Sequence, residues 1–498
     1  MFDLIIKNAN IIDGTGKDAY VADIAIKDGK IAVVGKVTDT ADEIIDATGL
    51  TVTPGWIDSH SHSDKTMISA PDQREKVEQG ITFSVTSNCG TSQAPIMNGM
   101  TMGDFLNKVD LIPQGSSASV FIGHNTLRSA VMGKVNRQPT ADEMEKMKAL
   151  LREGLEAGAL GMSFGLYYIP GCYATIDECI ELARVVAEHG KLITSHVRNE
   201  ADGLIEAVEE FLTIARESGC RAVFSHHKAM DRANWGKVKD TLAIIDKAVS
   251  EGVDAYQDVY PYIASSTTVM ARFVPKMFHP EGTKDAVSLL YSKEKCEEIK
   301  AHWIKKWGND LSWVLVISCG EHKEYVGKNV NEIAEMMGYT DRYEAVFDII
   351  RLSNGGAQAC FFMMCEEDLE YVLSHPRTMI CTDDVASGNN IYHPRLRASF
   401  PRAIAKYVRE KNVLTLPEMI RRMTSLPAHV YHLDTKGRIE EGFDADLCII
   451  DPENITDCAD FVNCTLHNKG LEYVIINGKK VLEKNNYNGT RAGKVYRL

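Results

Sequence analysis

The chain has 498 residues, of which 69 are acidic and 55 are basic, giving a formal net charge of −14. This balance excludes nucleic acid and anionic membrane surfaces as expected partners, since both attract basic proteins. The length allows one large barrel with smaller satellites, or two to three domains. The 12 cysteines form no CxxC pair. No secretion signal and no apolar run of membrane-spanning length is found, so a cytoplasmic protein with reduced thiols is expected.

Both ends of the chain consist of short strand patterns. Asp13-Gly14 and Asp28-Gly29 are hairpin turn signals between apolar runs within residues 1–53, and a similar pattern returns within 428–498. Because the termini of one globular chain often lie close together, we expect the two ends to form one small β-sandwich.

Strand and helix patterns alternate over residues 54–427, which is typical of a parallel α/β fold. The capping-box sequences Thr140–Glu143 and Thr175–Glu178 each precede an amphipathic run. Eight segments have a strand pattern: Gly55–His62, Ile81–Cys89, Ser119–His124, Ala159–Gly165, Lys191–His196, Arg221–His226, Val253–Tyr260 and Thr378–Asp383. They predict a (β/α)8 TIM-like barrel, whose chemistry lies at the C-terminal ends of its strands.

The connection between the seventh and eighth predicted strands is far longer than a barrel loop. It contains helical and strand patterns of its own. We therefore expect an inserted subdomain at about residues 267–345, placed over the barrel mouth as a lid.

Residues that can bind a metal stand at the ends of five predicted strands. His60 and His62 follow an apolar run at i, i+2 spacing, which alone leaves open whether both bind metal or one packs and one is solvated. A cysteine in a strand is usually a core residue, and a strand-end Asp often caps a helix. The other strand ends carry Cys89, His196, His226 and Asp383. Five such ends together favour a metal site, and zinc suits this mixture of thiolate, imidazole and carboxylate.

Several motifs extend this pattern over nearly the whole chain. They are PGWIDSHSH at 54–62, SNCG at 87–90, GHNTLR at 123–128, GLYYIPG at 165–171, SHVRNE at 195–200, SHHK at 225–228, DVYPYIASST at 258–267, HPRLRASFPR at 393–402 and GRIEEGFDADLCIIDP at 437–452. With these motifs the chain resembles the amidohydrolase superfamily and, within it, the N-acyl-D-amino-acid deacylase (D-aminoacylase) family.

The resemblance implies a fold of amidohydrolase type and one tightly bound zinc ion. It also implies a possible second, weaker metal site. The ligands of the tight site would be Cys89, His196 and His226, and those of the weaker site His60, His62 and Asp383, with Cys89 available as a bridge. His227 could replace His226 only if the strand register slipped by one residue, which would turn the ring to the other face.

The resemblance further implies hydrolysis of the amide bond of N-acyl-D-amino acids. Asp383 would accept the proton of the attacking water and deliver it to the departing amine. The implied substrate-binding residues are Lys228, Tyr260, Ser266 and Arg395, with Tyr168 a further candidate. Lys228 and Arg395 suit a substrate carboxylate, although solvated surface charge is the commoner role of such residues.

Asp384 stands where the family commonly has a glycine. It would either make the mouth more negative or point into the following loop. Side-chain alternation along a continued strand predicts that it faces away from the metal.

Two other functions remain open. Cyclic-amide hydrolases of the hydantoinase or dihydroorotase type usually bridge two metals with a carboxylated lysine from strand four, but Ala159–Gly165 contains no lysine. A non-catalytic scaffold on the same fold would be expected to have lost ligand residues, whereas this chain keeps the full set. The expected partner is a small N-acyl amino acid. The preferred acyl group and side chain, the strictness of the D-stereochemistry and the oligomeric state are left open.

Overall fold

Eight parallel strands form a closed barrel in the computed structural model, which describes residues 1–97, 99–278, 283–384 and 393–498. Residues 279–282, which are part of the predicted insertion, lie outside the described ranges. In chain order the barrel strands are Trp56–Asp58, Ile81–Thr86, Ser117–Val120 continued by Ile122–Gly123, Gly161–Gly165, Leu192–His196, Arg221–Phe224, Ala255–Val259 and Thr378–Ile380. Each pairs in parallel with its neighbour.

The ring closes between its first and last strands. The amide of Ser59 donates to the carbonyl of Ile380 at 3.4 Å, and Ser61 forms a parallel bridge with Asp384. The predicted (β/α)8 barrel is therefore confirmed. All strands begin and end within a few residues of their predicted positions, and most are shorter at the C-terminal end.

Apolar side chains from every barrel strand, or from the residue next to it, fill the interior. They form one buried cluster that includes Ile57, Phe83, Val85, Phe121, Leu160, Leu192, Val223, Tyr256 and Met379. Helices surround the strands and bury their apolar faces against them. Their bounds are Arg74–Val77, Met102–Asp110, His124–Met132, Ala141–Glu156, Ile176–Glu188, Leu204–Ser218, Lys237–Ser250, Glu366–Ser374, Arg395–Arg402, the π-helix Ala403–Glu410, Leu416–Met423 and Ser425–Val430.

The two predicted capping boxes have different structures. Thr140 accepts from the amide of Glu143 and the Glu143 carboxylate reaches back to Thr140, which completes a capping box. Thr175 accepts from the amide of Glu178 in the same way. The Glu178 carboxylate, however, turns inward to a buried histidine and arginine, so the second box is only half formed.

The strands of the two termini join in one nine-stranded sheet. Its members are Phe2–Ile11, Tyr20–Lys27, Lys30–Gly35, Ala41–Asp46, Thr51–Pro54, Leu447–Ile450, Leu471–Ile476, Lys479–Glu483 and Asn486–Tyr487. Antiparallel pairing of Leu447–Ile450 with Thr51–Pro54 connects the two ends of the chain. Apolar residues from both ends share one buried cluster, as alternation of apolar side chains along the strands allows.

A separate unit follows barrel strand seven and is here called the inserted unit. It is built on a three-stranded antiparallel sheet of Ser265–Thr268, Val314–Ser318 and Gln358–Phe361. Its helices are Val269–Phe273, Thr283–Leu289, Lys293–Trp307, Val330–Met337 and Arg342–Leu352. The predicted range of about 267–345 covers most of this unit, while the strand Gln358–Phe361 lies beyond it. The unit has an apolar core of its own.

None of the helices within the described residues combines the length and the apolar character needed to cross a bilayer.

Candidate active site

The residues expected to bind metal converge at the C-terminal mouth of the barrel. Their ligand atoms form two overlapping groups, and within each group these atoms lie within 4.8 Å of one another. One group is Cys89, His196 and His226, and the other is His60, His62, Cys89 and Asp383. All of these side chains are buried. The thiol of Cys89 belongs to both groups and is therefore the centre of the site.

Short left-handed turns, rather than strands, present several of these side chains. Cys89 and Asp383 both lie three residues beyond the end of their strands at Thr86 and Ile380. The φ angles of Cys89, His226 and Asp383 are +52°, +38° and +48°. Such angles are uncommon for residues other than glycine and cluster at functional sites. The assignment of Cys89, His226 and Asp383 as the last strand residues was therefore wrong in detail, because each strand ends before the turn.

Glycines allow the turn at Cys89 to approach barrel strand four. A Cβ atom on Gly165 would lie 2.1 Å from the carbonyl oxygen of Cys89, and one on Gly90 would lie 2.5 Å from the nitrogen of Gly165. Glycine is therefore required for steric reasons in the SNCG and GLYYIPG motifs, since a Cβ atom would not fit there.

The spacing of imidazole nitrogens from both groups around the Cys89 sulfur fits a tetrahedral metal. The Cys89 Sγ lies 3.3 Å from His60 Nε2, 3.7 Å from His196 Nδ1 and 3.4 Å from His226 Nε2. Zinc bonds of about 2.3 Å to sulfur and about 2.0 Å to nitrogen, set at tetrahedral angles, separate such ligand atoms by roughly 3.5 Å. One sulfur and several imidazole nitrogens at this distance are a donor set that zinc accepts.

His60, His62 and Asp383 form the opposite side of the site. The Asp383 Oδ1 lies 3.3 Å from His62 Nε2 and 3.5 Å from His60 Nε2. Both histidines follow the end of barrel strand one at Asp58, yet their rings lie 5.5 Å apart and face the same centre. This arrangement offers two nitrogens and one carboxylate oxygen to a second ion.

Two buried carboxylates that sequence reasoning missed hold the histidines. Glu200 Oε1 lies 3.1 Å from His226 Nδ1, and its Oε2 lies 3.5 Å from His196 Nε2. Asp258 accepts from the amide of His226 at 2.7 Å and lies 3.6 Å from His60 Nδ1. Carboxylates behind metal-binding histidines fix the ring orientation and tautomer. Both residues lie inside motifs of the sequence, SHVRNE and DVYPYIASST, but no local pattern marks them as partners of the ligands.

The charges within the cluster favour the ligand form of the cysteine. Burial raises the pKa of the Cys89 thiol, but the positive charges of His60 and His226 outweigh this effect and hold that pKa well below its ordinary value. Burial lowers the pKa of His60, yet the charges of Cys89 and Asp258 raise it well above its ordinary value. This direction favours the thiolate, which is the form that binds metal.

Lys228 and Arg395 are buried and not solvated surface charges. Lys228 Nζ contacts Glu200 and the Nδ1 of His226, so its charge is largely committed to the residues that hold the histidines. Arg395 Nη1 donates to Asp383 Oδ2 at 2.7 Å, and its guanidinium lies 5.0 Å from the centre of the Tyr260 ring. Both cations line the cavity over the candidate metal ligands.

A cavity of about 210 Å³ opens above the cluster. The remaining residues assigned to substrate binding, Tyr168, Tyr260 and Ser266, line it. The Tyr260 hydroxyl is buried and has no hydrogen-bond partner among the described residues, and the Tyr168 ring lies 4.8 Å from that of His196. Ser266 belongs to the inserted unit, which therefore forms one wall of the site.

Asp384 does not add its charge to the mouth. Its carboxylate accepts from Lys76 Nζ at 2.7 Å, and the same ammonium contacts Asp58 at 2.5 Å. All three side chains are buried where barrel strands one and eight meet. The prediction that the Asp384 side chain faces away from the candidate metal ligands agrees with this placement. The side chain takes this direction because it pairs with Lys76, not because of strand alternation, since the strand ends at Ile380.

His227, the alternative to His226, points away from the cluster. Its Nε2 lies 2.8 Å from the Thr241 hydroxyl of a surrounding helix. The register that places His226 at the centre is the one that the structure has.

A barrel with histidine, cysteine and carboxylate ligands at its C-terminal mouth defines the class of metal-dependent hydrolases. The sequence matches the amidohydrolase family over residues 43–292 and 349–482. The stretch left out, 293–348, lies within the inserted unit. The chain belongs to the amidohydrolase family.

Individual relatives are similar over almost their whole length. N-acyl-D-glutamate deacylase of Alcaligenes xylosoxydans xylosoxydans is 36% identical over 493 residues, which cover 96% of this chain and 93% of the relative. The crystal structure of N-acyl-D-glutamate deacylase from Bordetella bronchiseptica, complexed with zinc and a phosphonate inhibitor, has a TM-score of 0.87 and 35% identity, with both chains fully covered. A D-aminoacylase structure described for its binuclear metal centre has a TM-score of 0.85 and 32% identity, with 99% of each chain covered. Within the amidohydrolase family, the chain therefore belongs to the N-acyl-D-amino-acid deacylases.

Proposed function

We propose that this chain hydrolyses the amide bond of N-acyl-D-amino acids, giving a carboxylate and a free D-amino acid. One observation carries the proposal: two ligand groups share the Cys89 thiol beneath a cavity in which Asp383 and Arg395 lie side by side. A linear amide that ends in a carboxylate suits this arrangement, because the metal ligands, a proton carrier and a cation are all within one site.

Zinc fits the donor set. Cys89, His196 and His226 would hold the tight ion, while His60, His62 and Asp383 would form the weaker position with Cys89 as a bridge. Bound zinc supplies a Lewis acid that polarises the amide carbonyl and makes water more acidic.

Asp383 is the residue that moves the proton. Burial raises the pKa of its carboxyl, but the Arg395 guanidinium and the neighbouring histidines hold that pKa well below its ordinary range. This direction favours the ionised carboxylate, the form that can accept a proton from the attacking water. It then donates this proton to the amide nitrogen, which is a poor leaving group until it is protonated.

Lys228, Arg395, Tyr260, Ser266 and Tyr168 orient the substrate. Arg395 keeps guanidinium donors beyond the one used by Asp383, and these can pair with the substrate carboxylate in the planar geometry that arginine favours. Tyr260 offers a buried hydroxyl that has no partner in the described part of the chain. Lys228 supports His226 and Glu200 and adds positive charge at the floor of the cavity.

A hydrolysis panel tests the proposal. The zinc-loaded protein is assayed with N-acetyl-D-amino acids, their L-enantiomers, hydantoin, dihydroorotate and a buffer blank. We expect turnover of the D-series, much weaker turnover of the L-series and none of the cyclic amides. Activity confined to cyclic amides, or no activity with zinc bound, would overturn the proposal.

A further inference from the structure

Arg272 is a buried arginine of the inserted unit that the proposed reaction leaves without a role. It lies on the helix Val269–Phe273, directly after the strand Ser265–Thr268 that carries Ser266. It lines the same cavity as the metal ligands and is only 7% exposed. Arginine is almost never buried so deeply unless it is paired, so the groups that pair with Arg272 must be identified.

Three groups contact the Arg272 guanidinium. Its Cζ lies 4.9 Å from the centre of the Trp307 ring, and its Nη2 donates to Asp231 Oδ1 at 2.9 Å and to Met363 Sδ at 2.8 Å. The charge of Asp231 is shared, because Lys306 Nζ lies 2.7 Å from its other oxygen. Lys306 also contacts Asp202, whose side chain is 67% exposed and well solvated. Within the buried part of the site, Asp231 therefore neutralises only part of the charge of two cations.

The guanidinium still has unused donors. Its Nε is buried with no partner among the described residues, and no described residue forms a hydrogen bond with Nη1. A buried donor of a charged group is costly to leave unpaired, so an absent partner is indicated. The carboxylates that line the cavity cannot be that partner, because Glu200 is paired with Lys228 and Asp383 with Arg395.

We propose that Arg272 binds the side-chain carboxylate of the substrate, so that the enzyme prefers N-acyl derivatives of acidic D-amino acids. This inference rests on the proposed function of the same site. Arg395 serves the carboxylate next to the scissile amide, which leaves Arg272 for a second carboxylate elsewhere in the cavity. A guanidinium held in place by Trp307 and Asp231 is pre-organised for an anion, since little side-chain freedom remains to be lost on binding.

The test compares substrates of equal shape and different charge. The kcat/KM values of N-acetyl-D-glutamate and N-acetyl-D-glutamine are measured for the wild type and for Arg272→Met, as are those of the D-aspartate and D-asparagine pair. We expect the wild type to prefer the acid over its amide by about 10- to 100-fold, the worth of a hydrogen bond between charged groups. In Arg272→Met this preference should vanish because kcat/KM for the acids falls, while kcat/KM for the amides stays within about threefold.

Arg232→Met is the matched control, because Arg232 also stacks on a tryptophan, Trp235, but is exposed and does not line the cavity. It should keep the wild-type preference. If Arg272→Met does not fold, the wild-type measurement still tests the inference, because equal wild-type kcat/KM values for the acid and its amide would overturn it. A preference that survives in folded Arg272→Met also overturns it. Both results would leave the proposed function intact, whereas failure with every N-acyl-D-amino acid would overturn the two together.

Discussion

At the scale of single residues, we expect replacement of Cys89 to have the largest effect on zinc binding and hydrolysis. Its thiolate lies within 3.7 Å of three imidazole nitrogens and belongs to both ligand groups. We expect Cys89→Ala to lose most of its bound zinc after dialysis, and its hydrolytic activity with it, because the tight site then keeps only two ligands. Metal analysis and a D-substrate assay check this result.

Cys220→Ala is the control for Cys89→Ala. Cys220 is also a buried, free cysteine, but it packs on the carbonyl of Ala183 away from the cluster. This variant should keep its zinc and its activity. If Cys89→Ala retained a full complement of zinc, Cys89 would have to be removed from the set of ligands.

The adjacent residues Asp383 and Asp384 should give opposite results when each is changed to asparagine. Asp383→Asn keeps the size of the side chain but cannot take up the water's proton. Its kcat should therefore fall by roughly 10²- to 10⁴-fold with zinc content near wild type. Asp384→Asn weakens the pairing with Lys76 at the seam of the barrel. It should lower the melting temperature and change kcat by less than about tenfold.

The measurement is kcat, zinc content and melting temperature for both variants side by side. An inactive Asp384→Asn beside an active Asp383→Asn would reverse the assignment of the proton carrier.

Sequence alone was sufficient to predict that the candidate ligand residues converge, but not which groups hold them. His60, His62, Cys89, His196 and His226 stand at strand ends within recognisable motifs, so their convergence could be predicted. The pairing of Glu200 with Lys228, and that of Asp384 with Lys76, join residues from different parts of the barrel. Which charges pair across a barrel depends on the rotamers and turn angles of the folded chain, and a linear pattern does not contain them.

At the scale of secondary structure elements, Glu178 links two helices of the barrel wall. Its carboxylate contacts His124 Nε2 at 3.0 Å and also pairs with Arg128, both on the helix His124–Met132. Burial raises the pKa of the Glu178 carboxyl, but His124 and Arg128 outweigh it and lower that pKa overall. We expect Glu178→Gln to lower the melting temperature at pH 7 clearly, because it leaves Arg128 buried without its counter-charge.

The effect of Glu178→Gln should depend on pH in one direction. A carboxyl whose pKa is lower in the folded state stabilises the fold above its unfolded pKa of about 4.3, and this contribution is lost as the pH falls through the folded pKa. The difference in melting temperature between wild type and variant should therefore narrow below about pH 4. Glu143→Gln, in the solvent-facing capping box, is the control and should cost no more than about 1 kcal/mol. A difference that widens in acid would refute the charge-based explanation.

The elements themselves were predicted better than their ends. Eight strand patterns separated by amphipathic helices predict the barrel because apolar periodicity reflects burial directly. The ends of the strands at Cys89, His226 and Asp383 were missed because left-handed turns at non-glycine residues leave no signal in the sequence. The strand Gln358–Phe361 was not assigned to the inserted unit because its pairing partners lie far away along the chain.

At the scale of the whole molecule, the C-terminal tail closes the end of the barrel opposite the active site. Val495 forms a parallel bridge with Ala118 of barrel strand three, and the amide of Tyr496 donates to the carbonyl of Ala118 at 2.8 Å. The Tyr496 ring lies 5.4 Å from that of Phe83 in the barrel interior, and Lys436 Nζ lies 4.6 Å from its centre. The tail thus covers the apolar interior that the strands would otherwise expose to water at this end.

Tyr496→Ala should therefore destabilise the fold without changing catalytic activity. Loss of the ring removes its packing on Phe83 and its contact with Lys436, which we expect to cost about 2–3 kcal/mol in the free energy of unfolding. Tyr496→Phe keeps the ring and should recover most of the melting temperature. Tyr291 is 73% exposed, so Tyr291→Ala should be close to wild type. Zinc content and kcat at 25 °C should be unchanged in all three variants, because the candidate metal ligands lie at the other mouth. A loss of zinc in folded Tyr496→Ala would show instead that the two ends of the barrel are coupled, and would contradict the separation of stability and catalysis expected for this fold.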